Sequence, residues 1–261
     1  MASIVSRATR ALLPWLAAGA TILTPGAGQA APSQTFLKDL GAVVGQMLAS
    51  YSREAGAPLQ VLTFDTADAA VRGFLQATTN HSADELLAMQ AYDQMKVARA
   101  VGGVSESSEL PTCVIFYDSS RSDLLDGYVR SGAFDYVEAL HYLAAHEFGH
   151  CMAWHQTRRA AGRAAATFSD ARASERIADL VALTYFATNR NWAGAARILE
   201  LNAKVSSVKP GDPHSNVREL RTALEQLQVS AQRGDSMPGT MLGVYRMAAD
   251  LQRRIQPISK D

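Results

Sequence analysis

Apolar positions along this chain recur mostly at helical spacing. Phe36, Leu37, Leu40, Val43, Val44, Met47 and Leu48 repeat at three- and four-residue intervals, which predicts a helix from about Ser33 to Tyr51. A β-like run follows at Leu59 to Phe64. Asp68 to Gln76 and Ser82 to Val101 read as helices, with Ser82 or Asp84 placed to cap the second. Gly102 to Glu109 reads as a polar loop, and Pro111 opens a strand, Cys113-Val114-Ile115-Phe116-Tyr117, rich in β-branched and aromatic residues. Asp118 to Asp126 is a turn or loop. From there the pattern is helical almost to the end. Helices are expected from about Ala133 to Arg158, from Ser169 or Asp170 to Thr188, from Asn191 to Val205, from Ser215 to Ala231 and from Thr240 to Ile255. Pro210-Gly211-Asp212-Pro213, Gly234 and Pro238 punctuate the last three. The expectation is an α+β, mostly α fold.

The chain has 261 residues, 48% of them apolar, enough to bury a sizeable core. No internal repeat or domain linker stands out, so residues 31–261 read as a single domain. Charge is balanced, 25 basic against 25 acidic, and no basic run appears. That leaves no electrostatic footprint for nucleic acid or for an anionic membrane surface. Residues 1–30 read as a secretory signal peptide of bacterial type. Arg7 and Arg10 precede the apolar stretch Ala11 to Leu23, and Gly28-Gln29-Ala30 fits a cleavage site before Ala31. An uncleaved anchor is the alternative, but Pro14 and the short apolar run disfavour a spanning helix. No later segment is apolar for long enough to cross a membrane. The chain is therefore expected in the periplasm or secreted, with no stable membrane insertion after cleavage. Cys113 and Cys151 are the two cysteines. In an oxidising compartment they can form one bridge; two buried free thiols are the other reading.

Five of the six histidines lie after residue 140, and two of them form His146-Glu147-Phe148-Gly149-His150, an H-E-x-x-H pattern. Imidazoles at i and i+4 project from one helix face and can converge on one tetrahedral cation. Glu147, beside the first ligand, is placed to act as general base on a water acidified by zinc. The surrounding residues Tyr142 to Ala145, Phe148, Cys151, Met152 and Trp154 are apolar almost all round, so this helix should be largely buried. Buried histidines and a buried glutamate are costly unless something satisfies them. A third ligand is expected on the next helix, where Glu175 and Asp179 are again i and i+4. Glu175 would coordinate the metal, and Asp179 would accept the N–H of His146. A solvated stripe or an Arg176 ion pair is the plainer reading. His141 and His155, each five residues from the motif, face elsewhere, and His81 reads as a loop residue. Gly149, mid-helix, would let another segment approach closely.

HEFGH followed by an E-x-x-x-D helix resembles the gluzincin class of zinc metallopeptidases. Glu175-Arg176-Ile177-Ala178-Asp179 is similar to the E-x-x-A-D segment of the CAAX-prenyl-protease and HtpX-like family, and Asp212 to Arg218 distantly resembles that family's late histidine and arginine region. The likeness covers about residues 135–220. Here Pro213 precedes His214 and Arg218 is close, and the family's membrane-spanning helices are absent. The resemblance implies a zincin-like domain with a small sheet packed on the metal helix, one Zn2+ per chain, and hydrolysis of peptide or protein substrates. It implies an oxyanion donor at His214, with Arg218, Tyr117 and Tyr128 as further substrate or oxyanion candidates. His214 could equally be a loop residue or a helix cap. It also implies that the strand Cys113 to Tyr117 is the sheet's edge, pairing with extended substrate. The alternative from another class is a cell-envelope binding or folding factor that holds zinc without hydrolysis.

Overall fold

A computed structural model describes residues 32–65, 98–104, 111–117, 134–161, 171–208 and 215–255. The fold is α+β and mostly helical. In order come α1 (Pro32–Ala55), β1 (Gln60–Asp65), β2 (Ala98–Val104), β3 (Pro111–Tyr117), α2 (Tyr136–Ala161), α3 (Ala171–Thr188), α4 (Trp192–Val208), α5 (Val217–Gln232) and α6 (Met241–Ile255). Residues 1–31, and with them the expected signal peptide, lie outside the described residues, as do the helix expected at 68–76 and residues 82–97 of the helix expected from Ser82 to Val101.

Local chemistry sets several helix ends. Gly56, at φ +62, stops α1 in a left-handed conformation, and Arg159 of α2 donates to the terminal Ala55 carbonyl at 2.8 Å. Asp135 and Glu138 form a reciprocal capping box at the start of α2: the Glu138 N–H donates to Asp135 Oδ1 at 2.7 Å and the Asp135 N–H to Glu138 Oε2 at 3.3 Å. Asn191 caps α4 by accepting from the Gly194 N–H at 2.8 Å.

The sheet has three strands in the order β1-β3-β2, with β1 parallel to β3 and β2 antiparallel to it. Two expectations are corrected here. Ala98-Arg99-Ala100-Val101 is strand, not the end of a helix, and Gly102-Gly103-Val104 continues that strand rather than opening a loop. Pairing with β3 over the whole length, Ala98 opposite Tyr117 and Val104 opposite Pro111, supplies hydrogen bonds that outweigh the local helix preference of Ala and Arg. Second, β3 is the central strand. Its backbone is occupied on both sides, so the substrate-pairing edge expected at Cys113 to Tyr117 is not there.

The sheet packs on α2 through β2 and β3, and α1 covers β1. Helix α3 lies inside the helical layer against α2, α4, α5 and α6, and its Leu180, Val181, Ala182 and Leu183 are fully buried. Tyr117 is 1% exposed, its ring 4.8 Å from that of Phe36 on α1. Cys113 of β3 is bridged to Cys151 of α2, Cα atoms 5.6 Å apart, which resolves the question of free thiols. The bridge spans 38 positions, a loop whose closure stabilises by about 4 kcal/mol through the unfolded chain. No described helix is long and apolar enough to cross a membrane.

Candidate metal centre

Helices α2 and α3 meet at a glycine. A Cβ on Gly149 would stand 3.0 Å from the Ala178 Cα and 3.2 Å from the Val181 Cβ. The absent side chain therefore lets the two helices approach backbone to side chain. One residue beyond Gly149 is His150, and one turn before Ala178 is Glu175. The close crossing is what brings ligands from two helices to one point.

Ligand atoms of His146, His150 and Glu175 all lie within 4.8 Å of one another, and this group could hold a metal ion. Glu175 Oε2 is 3.2 Å from His146 Nε2 and 3.3 Å from His150 Nε2. Each histidine is held from its other nitrogen. With Nε2 kept for a cation, His146 Nδ1–H donates to Asp179 Oδ1 at 3.1 Å and His150 Nδ1–H to Ser174 Oγ at 2.9 Å. Asp179 is fully buried, and its second oxygen, Oδ2, accepts from the Asn216 amide at 3.2 Å. The i, i+4 spacings read from the sequence thus place His146, His150, Glu175 and Asp179 together.

Charge makes the case for a cation. Glu147, Glu175 and Asp179 are all buried beside two imidazoles. Burial pushes the His146 imidazole down, but its hydrogen bonds to Asp179 and Glu175, with Asp179 and Glu147 nearby as charges, together hold it well above the ordinary histidine range. One oxygen of Glu147, Oε2, is buried without a hydrogen-bond partner. An orphaned carboxylate oxygen near two histidines and two further acids is costly in protein alone. A divalent cation with a water offers the missing charge and the missing donor, so the residues fit a bound metal.

The remaining candidates fall elsewhere. Tyr117 sits in the core against Phe36. Arg218 is exposed on the first turn of α5. His214 and Tyr128 lie outside the described residues. His141 and His155 are off the ligand face, as their spacing predicts: His141 meets Tyr185 and His155 meets Tyr51. Ser174 and Asn216 were not legible as site residues. Each is a short polar residue near a helix start, where capping is the usual reason for its presence. Adjacency of Ser174 to Glu175 was the available signal. Comparison of the chain with protein-family models, with curated proteins and with solved structures finds no match.

Proposed function

We propose that this chain is an exported zinc peptidase of the gluzincin type, in which His146, His150 and Glu175 hold one zinc ion and Glu147 is the general base. The observation that carries the reading is the convergence of His146 Nε2, His150 Nε2 and Glu175 Oε2, with the Glu147 charge close enough to act on His146 and one buried Glu147 oxygen without a hydrogen-bond partner. Two imidazoles and one carboxylate favour zinc among divalent ions and leave a coordination position open. Bound there, zinc supplies Lewis acidity, lowering the pKa of a water to about 7 and polarising a carbonyl oxygen.

The protein's own groups do the rest. Glu147 accepts a proton from the attacking water and delivers it to the leaving amine, a role suited to a carboxylate with a free oxygen at the site. Asp179 and Ser174 hold the two imidazoles in the tautomer that leaves Nε2 free. Among the described residues β2 pairs with β3 alone, and it packs beside the metal helix. Its other edge supports binding of an extended peptide by strand addition, with β2 rather than β3 in that role. The Cys113–Cys151 bridge supports an oxidising compartment, in keeping with the leader read from residues 1–30.

The test is metal analysis of the purified protein beside a Glu175→Ala variant, with hydrolysis of an unfolded protein substrate followed in both. Stoichiometric zinc in the wild type, lost with turnover in the variant, supports the reading. Stoichiometric zinc without hydrolysis of any peptide would favour a binding or folding factor. Absence of zinc after reconstitution sinks the centre altogether.

A further inference from the structure

Asn216 stands at the N-cap of α5, with φ −105 and ψ 23, and its carbonyl accepts the Leu220 N–H at 2.9 Å. Asparagine is among the best residues at that position because its side-chain oxygen accepts from the first turn of the helix. Here the side chain makes no cap bond. It turns away from its own helix, is fully buried, and its Nδ2 donates to Asp179 Oδ2 at 3.2 Å. The amide's orientation follows from charge. Its NH2 faces a carboxylate, whereas the opposite orientation would set two oxygens against each other.

We propose that Asn216 is a positioning residue for the metal centre, acting through Asp179 on His146. Resting on the zinc reading above, the argument is geometric. Asp179 is at 0% exposure, so no bulk water can orient its carboxylate. Its Oδ1 faces His146 Nδ1 and its Oδ2 faces Asn216 Nδ2, so the carboxylate plane is clamped between the two. That plane fixes the imidazole plane and with it the direction of His146 Nε2. The donor itself is held. The carbonyl of the neighbouring Ser215 accepts from Arg172 of α3 at 3.2 Å, and Ser206 of α4 donates to its Oγ at 2.9 Å. The entry to α5 is thereby tied to the two preceding helices. A helix that contributes no ligand still reaches the cation through two hydrogen bonds.

Two substitutions separate this role from helix capping. Asn216→Ser keeps a cap residue of equal quality but is too short to reach Asp179. Asn216→Asp is the same size and also a good cap, but sets a carboxylate against a carboxylate. Zinc affinity is measured by competition with a chromogenic chelator, and the melting temperature of each zinc-free protein is recorded alongside. The expected result for Asn216→Ser is a 10- to 100-fold loss of zinc affinity with a near-wild-type melting temperature. Asn216→Asp should lose more. With zinc saturating, kcat should fall in both and KM should hold. Wild-type zinc affinity in Asn216→Ser overturns the proposal and leaves the zinc centre standing. So does a loss of affinity that merely follows a fall in zinc-free melting temperature. A wild-type chain that binds no zinc overturns both.

Discussion

Helix α2 carries four histidines, and they fall into two pairs that meet different fates. His146 and His155 are both buried, 6% and 1% exposed. His146 faces Asp179 and Glu175 and is held well above the ordinary histidine range, since these hydrogen bonds outweigh its burial. His155 accepts from the Tyr51 hydroxyl at 2.6 Å, and burial first, then the Arg159 charge, pushes it down to about 4. His141 pairs likewise with the Tyr185 hydroxyl at 2.8 Å and is lowered by burial. Helix, burial and residue type are shared; the partner's charge is not. A neutral imidazole facing a tyrosine is complete. Two imidazoles facing three carboxylates are not complete until a cation arrives. Burial alone therefore does not single out a candidate metal ligand, whereas burial against acids does.

The sharpest way to break this comparison is at Glu147, the one acid of the cluster that is not paired with a histidine in the structure. Glu147→Gln keeps shape and removes the base. Turnover of a peptide substrate should fall by about 10²–10⁴-fold, while zinc content stays stoichiometric. A variant with wild-type kcat would mean that Glu147 is not the base. Next in size is removal of the metal. At zinc concentrations of about 100 to 1,000 times Kd, binding should add about 2.7–4.1 kcal/mol of stability, and chelator should abolish it. His141→Gln and His155→Gln should keep that full chelator-dependent shift, read by thermal or urea melts, and His150→Ala should lose it. A shift that survives His150→Ala would place the cation elsewhere.

Much of the candidate metal centre was legible in advance because its information is local. H-E-x-x-H and E-x-x-x-D each need only helical periodicity to bring two residues to one face, and the apolar flanks of Tyr142 to Trp154 announce a buried helix. What escaped was decided by partners distant in the chain. Ala98-Arg99-Ala100 has no local reason to be strand, and two glycines after it read as loop; only the β3 ladder makes it one. Strand order is likewise invisible locally, so β3 looked like an edge and is the centre. The Asn216 amide reads as a cap because nothing nearby in sequence points to Asp179, 37 positions earlier. Cys113 and Cys151 were a possible bridge until β3 was seen against α2.

Gly149 joins the two scales, since a local glycine sets a long-range distance. Gly149→Leu must push against the Ala178 backbone and the Val181 side chain. The cost should be about 1–3 kcal/mol of stability from overpacking. Because the same contact sets how near Glu175 comes to the histidines, zinc affinity should fall as well. His155 takes its partner from α1 and not from that crossing, so the Tyr51 pairing should persist in the variant. Unchanged zinc affinity in a destabilised Gly149→Leu protein would separate packing from ligand geometry and defeat this account of the crossing.

The smallest effect expected concerns the pair without acids, and its sign follows from the partners. His155 titrates near 4 in the folded protein and near the ordinary 6.5 when unfolded. Between those values the unfolded chain binds a proton that the folded chain refuses, so stability should rise with pH across this window and be lost as pH falls from about 6.5 towards 4. Because buried sites respond with an effective dielectric well above that of dry protein, the loss should be about 1–2 kcal/mol. The groups facing the ring are the Tyr51 hydroxyl, the Pro58 carbonyl, Arg159 and Arg158, none of them an acid. His155→Gln removes the titration and keeps a polar side chain, so its stability curve should be flatter than wild type over that range. The measurement belongs in chelator, by urea unfolding at several pH values, so that acid release of metal from His146 and His150 does not enter. Parallel curves for the two proteins would show that His155 accepts a proton in the fold after all, and that a tyrosine partner does not set it apart from the histidines among the carboxylates.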